Sequence, residues 1–572
     1  MKPVHVRVLA LGATAFALSP GLASAAVGAA PSVADVPRVA VSDLGLAPSN
    51  GRINLAITLK YRNQAQLDQL VALQSNPASP AYHQFLTSSQ FNAAFAPTAA
   101  QYAQVAAALQ RGGFSITNTF SNHTVIDAVG TIGAAEKFFS TEIHRVNQPG
   151  YGERYLNARP GVAPASIASL VRSVDGLHNL RVVSTDIARA QPQPQAPLNE
   201  GLDPDLVGQP LKGPVSSATH LSGYGPLGFS GGYDLPQQHK IPKEKGQYYT
   251  GTGRASGVVI DADFLDSDLS GFLTYFNVTR TGQATTRIPI DGGPPGGDGS
   301  GDSLETTLDV ETIVSNAPGT NLYVYEFPSF NSLSYITDAY NAVVNANVVD
   351  TANSSFGGCE TGIGGSTAEA WDNIAEQGSA LGITFHASSG DSGSDGGCVS
   401  APASGPHFVA VGGTSLIDTT KGKWSSENAW NGSGGGVSTV FALPSYQSGV
   451  SGVITSGRNV PDVAFDANPD TGAAFYYGGS WNTDYNPLGG TSLASPIFGA
   501  TLTEINELLG ARSGYFNPTL YTFWGKNGYG TKKKPFFHDI TSGSNGEYTA
   551  KAGFDQVTGI GSIDGYLTGK GL

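Results

Sequence analysis

The chain has 572 residues, too many for one ordinary hydrophobic core, so two or more folded units are expected. Only 13% of residues are charged and the formal net charge is −14, a balance that speaks against nucleic acid as a partner. With 31 Lys and Arg in all, little positive charge is left to repel itself once carboxylates protonate, so the composition suits an acidic medium.

In chain order, residues 1–25 read as an export signal. Lys2 and Arg7 bracket a basic start, 8–18 is apolar, and Ala23-Ser24-Ala25 is a small-residue cleavage site. A short membrane anchor is the alternative, weakened by Pro20 and Gly21. No other uninterrupted apolar run can span a bilayer, so a secreted, extracellular protein without a membrane partner is expected. Residues 26–185 have a separate rhythm. Strands are predicted at 53–61, 115–120, 124–130 and 142–146, and helices at 64–74, 98–109 and 134–139, the order of a small α+β sandwich. At 186–219 the composition turns to Pro, Gln, Gly and Ser, which predicts an extended, exposed linker open to cleavage. From 220 to 572 strands (256–260, 321–326, 347–350, 382–387, 408–411) alternate with helices (304–315, 333–344, 367–381). That pattern predicts an α/β fold, a parallel sheet flanked by helices, with its site at the carboxyl ends of the strands.

Gly489-Gly490-Thr491-Ser492 leads into an apolar helical stretch at 497–509. The glycines permit a tight turn, and a helix start offers unpaired N–H groups to an oxyanion; the plain alternative is that Ser492 is an N-cap. Ser415, in a similar string, opens no helix and reads as a structural turn residue. A serine nucleophile needs a base, yet none of His220, His239, His386, His407 and His538 sits in a Gly-rich, helix-opening context, and His386 reads as a core residue. Glu305 and Asp309, four apart, share a helical face, where two carboxyls resist double ionisation and can hold one proton between them. Against this, Asp302 with Glu305 fits a capping-box-like pair. Asp391, in Gly390-Asp391-Ser392-Gly393 after a strand, is either a turn former or, kept protonated, a hydrogen-bond donor to an oxyanion. Cys359 and Cys398 are the only cysteines, and in an exported protein such a pair usually bridges.

Taken together these residues resemble the sedolisin family of serine-carboxyl peptidases, which includes kumamolisin and pseudomonalisin. The resemblance rests on Ser79 to Thr87 and Phe95-Ala96-Pro97 in the N-terminal unit. Later it rests on Glu305 with Asp309, Ser388 to Gly393, Ser433 to Gly436, Arg458 to Val463 and Gly490-Thr491-Ser492 with Pro496. It implies a subtilisin-like catalytic domain (220–572) behind a ferredoxin-like activation prodomain (26–185) and a linker holding the processing site (186–219). It implies Ser492 as nucleophile, Glu305 as base, Asp309 as the group that orients Glu305, and Asp391 as the group that polarises the scissile carbonyl. Ser433, Gly434, Gly435 and Gly436 would form the strand edge that binds substrate backbone. The Cys359–Cys398 bridge also fits the pseudomonalisin branch.

By the same resemblance the C-terminus holds one Ca2+ through Asp539 and Asp555 and the main-chain oxygens of Ile540, Lys551 and Gly553; two ordinary turn aspartates are the alternative. Relatives often have Gly where this chain has Lys551. The expected protein is thus a monomeric acid endopeptidase acting on protein or peptide substrates. Its own prodomain would act as an intramolecular inhibitor, covering the cleft until acid triggers removal. Three rivals stand beside it: a Ser-His-Asp peptidase, a tripeptidyl exopeptidase of the same family, and an inactive binding protein on this scaffold.

Overall fold

The structure, a computed structural model, describes residues 32–189, 223–242, 246–295, 301–418, 422–481 and 487–572. The export signal, the linker from 190 onward, His220, the segment 296–300 and the side chain of Asp302 lie outside the described residues.

The N-terminal part is α+β as expected. Its main sheet is antiparallel, in the order Ser115–Thr119, Val125–Thr131, Arg52–Leu59, Val171–Asp175. Ile53, Leu55, Ile57 and Leu59 pack with Val105, Leu109 and Phe139 in one core. The helices start where capping chemistry is available: Thr98 and Gln101, and Thr87 and Gln90, form reciprocal capping boxes. Ala56 and Thr58, on the other face of the strand, are buried as well. The reason is that helices Leu333–Ala346 and Gly365–Leu381 of the C-terminal part lie against this sheet.

In the C-terminal part the sheet runs Thr286–Pro289, Asn321–Glu326, Ala255–Ile260, Thr351–Ser354, Thr384–Ser388, Phe408–Asp418, Trp424–Ala429, with Val463–Asp466 also paired to Phe408–Asp418. All these pairings are parallel except that of Trp424–Ala429. Strands such as Ala255–Ile260 are buried throughout, which is why they read as continuous apolar runs. Helix Gly301–Asn316 packs with Thr491–Leu509, and Leu333–Ala346 with Gly365–Leu381. No helix among the described residues is long and apolar enough to cross a membrane.

Three sequence expectations shift. The run 347–350 is not a strand: Asn347 takes a left-handed φ of 52° that ends the preceding helix, and pairing begins at Thr351. Likewise Gly382 (φ 90°) caps a helix, so the next strand starts at Thr384. Ser415 is no turn residue either. The strand begun at Phe408 continues to Asp418, and the Ser415 hydroxyl accepts from Asn468 Nδ2 at 2.8 Å.

Cys359 and Cys398, separated by 39 positions, are joined with an S–S distance of 2.01 Å. Closing a loop of that length constrains the unfolded chain by roughly 4 kcal/mol on a chain-entropy account. Arg458 and Asp462 form a fully buried pair at 2.6 Å, and Tyr521 Oη donates to the same carboxylate at 3.0 Å. Removing either partner alone would strand a buried charge.

Candidate active site

Helix Thr491–Leu509 begins after Gly490, the N-cap residue, so Ser492 is its second residue and not its cap. Two of the N–H groups that a helix start leaves unpaired are taken from outside. Asp391 Oδ1 accepts from the Thr491 N–H at 2.7 Å and from its hydroxyl at 2.9 Å. The main-chain carbonyl of Asp186 accepts from the Ser492 N–H at 3.0 Å. Glycine is required at 490: φ is 95°, and a Cβ there would lie 2.2 Å from the Asp186 carbonyl oxygen and 2.5 Å from Asp391 Oδ2. Those two oxygens therefore converge on the same small space above the helix start.

The Ser492 hydroxyl has two acceptors, Glu305 Oε2 at 2.9 Å and the Ser355 carbonyl at 3.2 Å. Glu305 and Asp309 are both inaccessible to solvent, on the face of helix Gly301–Asn316 turned to helix Thr491–Leu509. The capping reading of Glu305 is replaced by this contact. Asp309 Oδ1 accepts from Ser355 Oγ at 2.6 Å. Glu305 Oε1 and Asp309 Oδ2 are both buried away from solvent, a setting that favours a proton held on the pair. Burial, followed by the Asp309 charge, pushes the Glu305 carboxyl well above its usual range; burial pushes Asp309 up to about 8 against the hydroxyl of Ser355. Asp391 is pushed well above its usual range by burial and by Asp186, and its Oδ2 has no partner among the described residues. A proton on Oδ2 would place a donor in the space beside Gly490 that it shares with the Asp186 carbonyl oxygen.

None of the described histidines touches Ser492. His386 is buried as expected, bonds Ser495 through Nδ1 at 3.0 Å, and is pushed down to about 3 by burial. His239 pairs with Asp234, His407 with Asp372, and His538 stacks on Trp424.

The surprise is the chain that occupies the cleft. Residues expected to begin an exposed linker are instead seated beside Ser492, with Asp186 itself buried. Ser184 and Thr185 pair antiparallel with Gly357 and Phe356, and Ala188 and Arg189 pair antiparallel with Gly489 and Leu488. Between them Asp186 Oδ2 accepts from Ser388 Oγ at 2.7 Å. The strand edge receiving this segment is thus Phe356–Cys359. Of the four residues expected to bind backbone, Gly434 borders the same cleft, its N–H bonded to Gly390. Ser433 bonds Gly413 and Val557, and Gly436–Val437 pairs with Asn459–Val460. Sequence reasoning missed Ser355 and Asp186, and gave Ser388 a place in the family motif without a role of its own. The serines stand at strand ends, the positions where such sheets assemble their sites.

At the C-terminus one loop touches both expected calcium aspartates. The Gly553 N–H donates to Asp539 at 3.1 Å and the Lys551 N–H to Asp555 at 3.0 Å. The carbonyl oxygens of Ile540, Lys551 and Gly553 accept no backbone hydrogen bond among the described residues, and the Lys551 side chain is exposed. Asp555 also accepts from the N–H groups of Val557 and Thr558 and from the Thr558 hydroxyl, so the loop's own donors hold this carboxylate, and the two carboxylates and three carbonyls stand as candidate oxygen ligands.

A second acidic cluster, not foreseen, straddles the two parts of the chain. Asp127 of strand Val125–Thr131 meets Asp291 and Asp338, with ligand-type oxygens within 4.8 Å of one another.

The Pro-kumamolisin activation-domain model matches residues 40–180, and the subtilase-family model matches residues 296–513. Sedolisin of Pseudomonas sp. (strain 101) is 31% identical over 543 residues, 89% of this chain and 85% of that protein. Tripeptidyl-peptidase 1 of Bos taurus is 27% identical over 560 residues, 91% of each. Among solved structures, Pseudomonas sedolisin, a serine-carboxyl proteinase complexed with two molecules of pseudo-iodotyrostatin, aligns with 62% of this chain and 98% of its own, with a TM-score of 0.52 and 29% identity.

Proposed function

Since the chain belongs to the sedolisin family and is a serine-type peptidase with an activation prodomain, we propose that it is a secreted, acid-acting endopeptidase whose nucleophile is Ser492. The observation that carries this reading is the 2.9 Å contact between the Ser492 hydroxyl and a fully buried Glu305. Glu305 Oε2 takes the hydroxyl proton as Oγ attacks the scissile carbonyl, while Asp309 holds the pair's other proton and fixes the Glu305 carboxyl in place. The growing oxyanion is met by the Ser492 N–H and by protonated Asp391. Glu305 then protonates the leaving amine, and a water hydrolyses the acyl-enzyme by the same route in reverse. A neutral Asp391 ties the activity to acid.

The endopeptidase reading is supported by the likeness to sedolisin, which at 31% exceeds that to tripeptidyl-peptidase 1 at 27%. Export fits the bridged cysteines. The domain limits of this reading are a signal at 1–25, a prodomain at 26–185, a linker at 186–219 and a catalytic domain at 220–572.

The test is maturation of the purified proenzyme. Incubated at about pH 3.5, the wild type should be cut into prodomain and catalytic part, and Ser492→Ala should remain full length on gels for as long as it is followed. Prodomain loss in Ser492→Ala would remove the nucleophile assignment.

Calcium at Asp539, Ile540, Lys551, Gly553 and Asp555 would be structural, pinning the C-terminal strap to the 551–555 loop. At about 100 times its Kd a bound ion adds about 2.7 kcal/mol. Chelation at neutral pH should therefore lower Tm by several degrees, and Asp555→Ala should unfold at the chelated Tm with or without added calcium. A Tm indifferent to chelator would leave only two turn aspartates.

A further inference from the structure

We infer that the chain cuts itself between Asp186 and Ile187, and that the pocket at Ser388 selects a side-chain carboxylic acid in its protonated form. This rests on the peptidase reading above and deepens it by naming the bond and the side-chain class.

The register comes from hydrogen bonds on both sides of one peptide. Upstream, Ser184 and Thr185 are laid antiparallel on Gly357 and Phe356, and the Asp186 N–H reaches the Ser355 carbonyl at 3.3 Å. Downstream, Ala188 and Arg189 are laid antiparallel on Gly489 and Leu488. The carbonyl held by the N–H of the nucleophilic residue itself is that of Asp186, at 3.0 Å. It also shares the space beside Gly490 with Asp391 Oδ2. A carbonyl whose oxygen already lies in the oxyanion site, in a chain fixed at both flanks, is presented for attack. The Ser492 Oγ–C bond forms at the Asp186 carbonyl carbon as the hydroxyl proton passes to Glu305. The C–N bond to Ile187 then breaks, and Glu305 gives its proton to the departing amine. Water restores the serine hydroxyl and leaves Asp186 as a new C-terminal carboxyl.

The side chain of Asp186 explains the selectivity. Its Oδ2 accepts from Ser388 Oγ at 2.7 Å in a buried setting. The titratable groups that face it are Glu305 from helix Gly301–Asn316 and Asp391 from the loop after strand Thr384–Ser388; Arg189, on its own strand, is exposed. An ionised acid here would place a negative charge in a dry site beside Glu305 and Asp391, and burial lifts Asp186 to about 7. A protonated acid is uncharged, accepts from Ser388 and can donate to the cluster. Lysine at this position would have to strip the water from its ammonium to enter the same buried space.

Two measurements test this. N-terminal sequencing of the full chain after processing at about pH 3.5 should give Ile187-Ala188-Arg189 as the first new terminus. Asp186→Asn should give the same terminus, and Asp186→Lys should slow its appearance at least tenfold. The processed enzyme should then be offered peptides differing only in Asp, Asn or Lys before the cut. Enzyme groups titrate alike for all three, so the Asp/Asn ratio of kcat/KM isolates the substrate's own proton. It should fall about tenfold per pH unit above about 4, where a free aspartyl side chain ionises. Ser492-dependent processing that starts elsewhere and ignores Asp186→Lys overturns the bond assignment. A pH-independent Asp/Asn ratio, or lysine cut faster than aspartate at about pH 4, overturns the pocket assignment. Both results leave the nucleophile standing, whereas processing by Ser492→Ala is what removes it.

Discussion

Glu305→Gln should lower kcat/KM on a peptide substrate by about 10⁴-fold or more at the acid optimum, a loss of the size seen when a triad member is removed from a serine peptidase. Glutamine matches the volume and keeps a carbonyl oxygen near Ser492, whose hydroxyl now lies 2.9 Å from the carboxyl. It cannot take up a proton at any accessible pH. Its amide can also turn an N–H toward Ser492 and hold the hydroxyl in the wrong sense. Stability should move the other way. A buried acid whose proton affinity is raised on folding favours the fold below its unfolded titration near 4 and loses that support as pH climbs toward its folded value. The amide has no such loss, so Tm at neutral pH should hold or rise. Calorimetry beside kinetics separates the two effects: an active Glu305→Gln would point to a base elsewhere, and an inactive variant with a collapsed Tm would say nothing special about position 305.

The second large effect concerns the prodomain's grip. Asp127 on the prodomain faces Asp291 and Asp338 on the catalytic part, with Asn118, Tyr335 and, beyond them, Arg52 as neighbours. Burial lifts Asp127 to about 7, and burial followed by Asp127 lifts Asp338 well above its usual range. Glu376, which accepts from Gln64 of the prodomain at 2.7 Å, is lifted to about 7, chiefly by burial. Separated, these acids would titrate near 4. The joined state therefore binds more protons, and the sign follows: attachment is strongest below about pH 4 and weakens as pH rises toward about 7. One carboxyl moved over that span changes affinity by roughly 10²- to 10³-fold, allowing for coupling within the cluster. Glu369, 4.0 Å from Arg172, is lifted too, by burial first and against the Arg172 charge, so this exposed pair does not reverse the sign. Ser492→Ala proenzyme, nicked in the linker by an added protease, should stay associated on size exclusion at about pH 4 and separate at about pH 8. Asp338→Asn should flatten that difference. Release in acid instead would reverse the sign.

On these two expectations acid favours both the cut and retention of what has been cut. Sequence reasoning pictured acid as the signal for removal; the lifted interface carboxyls lead to the expectation that departure follows only as pH rises.

Much of the site could be read from the chain because its chemistry is local. Glu305 and Asp309 are one helical turn apart, and Ser492 follows two glycines at a helix start. The parallel sheet was legible because strands buried on both faces carry unbroken apolar runs, as at Ala255–Ile260. Where local apolar runs misled, a left-handed cap residue had shifted the strand: Asn347 and Gly382 end helices inside runs that look extended. The remainder is non-local. Asp127, Asp291 and Asp338 are far apart in the chain, and nothing near any of them marks a cluster. Asp186 opens a Pro- and Gln-rich tract and reads as linker. Its burial is dictated by the Ser355, Ser388 and Ser492 contacts, which only folding brings together.

The Cys359–Cys398 bridge joins the end of the strand that receives residues 184 and 185 to the loop that begins at Asp391. Without it, the spacing between the groove edge and the group facing the carbonyl would rest on the short pairing of Gly358 and Cys359 with Ala401 and Ser400. A covalent bond that forms only in oxidising surroundings therefore completes the cleft. A chain kept in reducing surroundings would carry Glu305, Asp309, Asp391 and Ser492, yet lack a firm seat for residues 184–189. Low pH alone would not restore that seat; joining the two cysteines would.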